Sequence, residues 1–168
     1  MYRPGHYGVA LLVYAPVGGV LVALGFAALA VVGGAVVLAL TPVPDWDQRI
    51  PFVSHRGVTH TVLFALVVGA VIGGVGSAVG TSLSLGSNAL LAGVGFLVGG
   101  TAILAHLLAD VITPAGIAPF WPFSGRNYSF GLARADNMVA NYALLAAGVL
   151  VTVAIIASAN AAVLSAVR

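Results

Sequence analysis

The sequence predicts an all-α, polytopic membrane protein, with about five transmembrane or partly spanning helices and a metal site at one membrane face. Three observations carry that reading. Charged side chains make up 6% of the 168 residues and hydrophobic ones 61%, with a mean hydropathy of +1.13. Such a chain has almost nothing from which to build a polar surface, so the bilayer is the solvent that remains. The apolar segments are long enough to cross the hydrocarbon core as helices. Finally, the four histidines and three of the four aspartates fall into short clusters between those segments.

The length fits a single integral membrane domain, residues 1–168. A net charge of +2 without a basic run gives no support to nucleic-acid binding, which leaves membrane lipids as the expected partners. There is no cysteine, which excludes disulfides and thiolate metal sites, and no lysine or glutamate. Arg3 makes a weak charged start, but the apolar stretch runs well past the core of a signal peptide, so the N-terminus is expected to be retained.

Tyr7–Leu40 is an apolar run of 34 residues, too long for one ordinary span of about 20. Two helices are expected there, at least one of them short, with the break at Pro16-Val17-Gly18-Gly19 or Gly33-Gly34. Thr41-Pro42-Val43-Pro44 stops the second. A third helix is expected from Thr59 to about Val79, closed by the Gly/Ser-rich stretch Gly80–Ser87. The fourth runs from Asn88 to about Ile112, where Thr113-Pro114 ends it. Ala115–Ala135 reads as a loop rich in proline, glycine and aromatics, and a fifth helix follows, with Asp136 as its N-cap.

The ionisable residues fit that alternation. His6 begins helix one, Asp45 and Asp47 follow helix two, His55 and His60 open helix three, and His106 and Asp110 lie in the last turns of helix four. Beginnings of odd helices and ends of even ones share one membrane face, so all seven converge without contrivance. His106 and Asp110 stand at i and i+4, on one helical face, and pair either as ligands or as a buried hydrogen bond. Gly57 allows a tight turn that leaves His55 in the loop and His60 in the first helical turn, with Ser54 or Thr59 as cap. Asp45 and Asp47 follow prolines that hold the segment extended, and a mixed His/Asp set suits zinc, manganese or iron. Arg56, between two candidate ligands, can hold a phosphate or carboxylate oxygen, of a substrate or of a lipid. Phe120, Trp121, Phe123, Tyr128 and Phe130 form an interfacial belt or line an acyl-chain entrance, with Arg126 beside them as headgroup anchor or phosphate contact.

Gly5-His6, Pro44-Asp45-Trp46-Asp47, His55-Arg56-Gly57-Val58-Thr59-His60, His106-Leu107-Leu108-Ala109-Asp110, Thr113-Pro114-Ala115-Gly116 and Trp121-Pro122-Phe123, in this order, resemble the YdjM-type family of inner-membrane-bound metal-dependent hydrolases. The resemblance spreads from residue 5 to about 123 and is carried chiefly by the His-Arg-Gly-x-Thr-His and His-x-x-x-Asp pair. The family often has histidine after Pro-Asp-x-Asp, where this chain carries Gln48. It implies a hydrolase with a His/Asp metal centre. The family is also distantly similar to zinc-dependent phospholipases C and single-strand nucleases, which implies a phosphodiester or phosphomonoester substrate, a phospholipid among them.

The sequence is thus read as a membrane-bound metal-dependent hydrolase acting on a phosphoester. Its ligand pool is His6, Asp45, Asp47, His55, His60, His106 and Asp110, for one or two divalent ions, zinc foremost. Asp45, Asp47 and Arg56 are the candidates for catalysis, one aspartate orienting the water. The rivals are a metal or proton transporter, which needs ionisable groups reaching the far face, and a metal-stabilised scaffold without chemistry. Arg3, Arg49, Arg56, Arg126 and Arg134 lie on the side of the site and Arg168 on the other, so the site and the N-terminus are expected in the cytoplasm. Gln48→Cys in this cysteine-free chain should therefore stay unlabelled by an impermeant thiol reagent in intact cells; labelling there reverses the orientation.

Overall fold

The computed structural model describes residues 1–52, 54–82 and 88–166. Five α-helices run through them: α1 (Arg3–Ala23), α2 (Ala27–Leu40), α3 (Val62–Ser82), α4 (Asn88–Val111) and α5 (Met138–Ala166). Short 3₁₀ helices occupy Pro44–Arg49 and Val58–His60. Among the described residues there is no strand, only an isolated bridge between Ile117 and Tyr128. Five segments are long and apolar enough to span a membrane, α2 reaching that length only together with the 3₁₀ helix after it. Two sequence expectations, the end of the Gly80–Ser87 stretch and the position of Arg168, lie outside the described residues.

The break in the long apolar run is at neither expected place. It falls at Leu24-Gly25-Phe26, where Gly25 takes φ +86°. Phe26 N–H donates to the Leu21 carbonyl at 2.8 Å and Gly25 N–H to that of Val22 at 2.9 Å. These two bonds satisfy carbonyls that the ended helix leaves open, and the left-handed residue between them favours glycine. Helix α1 instead continues through Pro16. In an apolar medium a second break would strand several backbone groups, whereas the proline removes one donor. Gly18, Gly33 and Gly34 surround the ring of Tyr14, whose hydroxyl donates to the Ala30 carbonyl at 2.6 Å. Their smallness serves packing.

Helix α3 packs chiefly on α4 and α1 on α5, while α2 and α4 both lie against α1. Small residues make these approaches close, as expected where lipid removes the hydrophobic drive between helices. Gly69 and Gly73 of α3 face Phe96 and Ala92 of α4, and a Cβ at Gly69 would stand 2.9 Å from the Phe96 carbonyl oxygen. Gly8 of α1 lies against the backbone of Leu144, and Gly148 of α5 against that of Gly8. Ala102, Ala105 and Ala109 are fully buried on α4 and bring its last turns against α1 and α2. That small-residue face carries His106 and Asp110 inward with it.

Gly8→Leu should force α1 and α5 apart and cost about 1–3 kcal/mol, the usual range for overpacking. Gly74→Leu, where a side chain meets open space, should leave thermal stability in detergent unchanged. Equal midpoints for the two variants contradict the packing account.

Candidate metal centre

Each ionisable cluster is delivered by a helix end. His6 sits in the first turns of α1, its Nδ1 3.2 Å from the Tyr2 carbonyl oxygen. The N-terminal segment is tied to α5 by Asn141, which is fully buried: its Oδ1 accepts the Tyr2 N–H at 3.1 Å, and its amide donates to the carbonyls of Ala135 and Asn137. Asp45 and Asp47 lie in a 3₁₀ helix, not in the extended segment expected after the prolines: Pro44 suits the first helical position, and the turn carries Asp47 inward and leaves Asp45 half-buried.

The loop to His60 differs from its expected form. Arg56, not Gly57, takes the left-handed conformation, at φ +62°, while Gly57 has φ −86°. Glycine is needed at 57 because a Cβ there would stand 2.8 Å from the Ser54 carbonyl oxygen, the acceptor of the Gly57 N–H. The strained Arg56 backbone is held by its own bonds: its N–H donates to Asp47 Oδ2 at 3.1 Å, and its guanidinium to the Gly116 carbonyl at 3.0 Å and Asp110 Oδ1 at 3.2 Å. His60 ends the second 3₁₀ helix rather than starting α3. The cap is Thr61, whose Oγ1 accepts the Phe64 N–H at 3.0 Å. At α5 too the cap shifts by one: Asn137 accepts the Ala140 N–H, and Asp136 pairs with Arg134 at the surface.

These elements bring Asp45, His60, His106 and Asp110 together, with ligand atoms all within 4.8 Å of one another. His60 Nε2 and His106 Nε2 are 3.2 Å apart. Asp45 Oδ1 is 3.6 Å from each, and Asp110 Oδ2 is 3.4 and 3.5 Å from them. An ion with bonds of about 2.0–2.2 Å sets tetrahedral ligand atoms roughly 3.3–3.6 Å apart. Four of these five edges fall in that range, and the fifth, between the imidazole nitrogens, is 0.1 Å short of it.

The protons tell the same story. His106 Nδ1 lies 2.8 Å from the Thr41 carbonyl oxygen and must donate to it. The Thr59 hydroxyl donates to Asp47 Oδ2 at 2.8 Å, so its oxygen, 3.0 Å from His60 Nδ1, accepts from that nitrogen. Both Nε2 atoms of the neutral rings therefore carry bare lone pairs, aimed at each other across a fully buried gap. A cation between them resolves the repulsion, and so does a proton. Burial pulls His60 toward neutrality, yet hydrogen bonds with the carboxylates of Asp110 and Asp45 outweigh it and hold its pKa above the ordinary histidine value.

The other three expected ligands border this group. His6 stacks on His106, ring centroids 4.0 Å apart, and its buried Nε2 has no hydrogen-bond partner, lying 3.5 Å from Asp110 Oδ1. That same oxygen accepts from the Met1 amine at 2.7 Å. Asp47 accepts from His55 Nδ1 at 2.9 Å and lies 3.3 Å from His60 Nδ1, forming a second cluster, Asp47–His55–His60. Sequence reasoning missed the Thr41 carbonyl, the Thr59 hydroxyl and Asn141. Thr59 left a signal as the threonine between Gly57 and His60 in the His-Arg-Gly-x-Thr-His motif, and Asn141 as an amide in a mostly apolar helix.

Fold and site together define a multi-pass membrane protein with a His/Asp group that can hold a metal ion at one end of its bundle. The chain belongs to the YdjM inner membrane protein family, whose model matches residues 1–167. No curated protein and no solved structure matches it.

His60→Ala and His106→Ala should each remove metal from the purified protein by elemental analysis. Asp47→Asn, which leaves the four converging atoms in place but weakens the hold on His60, should lower affinity about 10–100-fold. Full metal content in His106→Ala contradicts the assignment.

Proposed function

We propose that this protein is a membrane-bound metal-dependent hydrolase acting on phosphoesters. One observation carries the reading: Asp45 and Asp110 line a cavity of about 520 Å³ that Arg3, Arg49 and Arg56 also line. A divalent ion would offset the two carboxylates, leaving the guanidiniums to attract an anion, and their planar forks suit phosphate oxygens.

The donor set of two imidazoles and two carboxylates suits zinc, with manganese and iron sharing the preference. Asp45, His60, His106 and Asp110 would hold the ion, with a water from the cavity added to the four, and the ion would supply a lowered pKa for that water and polarise a phosphoryl oxygen. Of the two carboxylates that line the cavity Asp45 is the more exposed, 30% against 2% for Asp110, and it would take the water's proton. The water oxygen bonds to phosphorus, the P–O bond to the alcohol breaks, and the proton passes to the leaving oxygen. Arg56 steadies Asp110 and lines the cavity, so it serves both ligand geometry and the charge that develops on the phosphoryl group. Asp47 acts through His60, holding its ring in the tautomer that presents Nε2.

A transporter would need polar groups beyond the site. The described parts of α3, α4 and α5 carry no Asp, His or Arg outside the last turns of α4. A scaffold would need no arginine-lined cavity. The arginine pattern also underlies our proposal that the site faces the cytoplasm.

Metal-loaded protein should cleave an aryl phosphoester and lose that activity to a chelator. Arg56→Lys should retain metal and lose at least roughly tenfold in kcat/KM, since the charge stays but the fork goes. Metal-loaded wild type without activity on any phosphoester overturns the enzyme reading in favour of a scaffold.

A further inference from the structure

A second cavity, of about 440 Å³, adjoins the first, and Arg56 lines both. Their characters differ. Beyond Arg56 the walls are chiefly apolar, formed by Phe52, Val58, Ala118 and Trp121. The guanidinium at the divide is fixed by the Gly116 carbonyl and Asp110, so it stands as a rigid post between a cationic chamber and an apolar one. A small soluble phosphoester would use the first chamber and leave the second wetted and idle.

We infer that the substrate is an amphiphile: a phosphoester lipid whose headgroup enters the arginine-lined cavity while a hydrocarbon tail lies in the groove beyond Arg56. The inference rests on the phosphoester reading for the chemistry at the headgroup and adds the tail. Phe52 is wholly exposed, at 107%, and holds a left-handed backbone with φ +68°. A phenylalanine presented this way in water carries a hydrophobic cost with no return, whereas beside a hydrocarbon tail its exposure is contact surface. Trp121 is half exposed at the other wall, and Phe120, Phe123 and Phe130 of the same loop are exposed as well. Aromatic side chains of this kind suit the boundary between headgroups and acyl chains, where a lipid arrives with its phosphate at the level of the arginines. Helix ends, the metal donors and this loop share one end of the bundle, so a lipid needs no removal from the bilayer to reach both chambers.

Photolabelling tests the tail's position without relying on turnover. Metal-loaded protein in detergent receives a trace of phosphatidic acid bearing a diazirine in its tail, with a matching diacylglycerol as the phosphate-free control. The expected labels fall on Phe52, Val58, Ala118 or Trp121, depend on the phosphate, and fade when unlabelled phosphatidic acid competes. Labels spread over the outward faces of α3 and α5, or equal labelling by the diacylglycerol, overturn the inference and show ordinary lipid solvation. Kinetics supply the second arm. Trp121→Ala should lower kcat/KM for long-chain phosphatidic acid roughly tenfold, while activity on a soluble aryl phosphate stays within about twofold. A variant that affects both substrates equally, or neither, also overturns it. If wild type cleaves neither substrate the phosphoester reading fails, and the labelling pattern still decides whether a lipid phosphate seats its tail in the groove.

Discussion

Two imidazole nitrogens, Nε2 of His60 and Nε2 of His106, face each other at 3.2 Å in a buried space walled by two carboxylates. Their outer nitrogens are engaged by Thr41, Thr59 and Asp47, so the inner lone pairs have nowhere else to turn. Left alone, that arrangement is repulsive. It is stable with a positive charge at its centre, and the surrounding bundle is built to keep it in place. Small residues on α4 bring His106 close to α1 and α2, and the 3₁₀ helices on either side of the Arg56 turn deliver Asp45, Asp47 and His60 at the same level. Buried charge of this kind is expensive in an apolar medium, and a group that keeps it is held for a task.

The site is assembled from the N-terminal segment and helix ends, and its hydrogen bonds link it to parts of the fold that carry no ligand. Asn141 holds Tyr2, which fixes the start of α1 and so the ring of His6. Arg56 reaches across to Gly116 and Asp110, tying the loop after α4 to the loop before α3. That loop is in turn fastened over the end of α4 by Phe130 N–H on the Val111 carbonyl at 2.7 Å and by the Ser129 hydroxyl on that of Thr113. Substitutions at these distant points would therefore reach the centre through geometry rather than contact.

Hydropathy and the placement of ionisable residues made the five helices and the convergence of the clusters legible, because both follow from the bilayer as solvent. In a chain this apolar, each histidine and aspartate stands out, and helix alternation alone puts them at one end. Finer features escaped for local reasons. Twenty-two glycines serve both packing and turns, so the run from Tyr7 to Leu40 offered several breaks, and the single left-handed Gly25 was not distinguishable from the packing glycines. The left-handed turn fell to Arg56 rather than its glycine neighbour, since side-chain bonds from a residue far along the chain outweigh local preference. Caps moved by one or two residues, to Thr61 and Asn137, because which hydroxyl or amide reaches a helix end depends on the approach of the loop. The backbone carbonyl of Thr41 could not be read at all, being common to every residue.

X-ray absorption at the zinc edge of the purified, zinc-loaded protein reads directly whether His60 and His106 share an ion. One tightly held ion with two imidazole nitrogens and otherwise oxygens, from the carboxylates and a water, at about 2.0–2.2 Å is expected, with loss of the imidazole scattering in a His60→Ala, His106→Ala double variant. An all-oxygen shell, or imidazole scattering that survives in that variant, would contradict it.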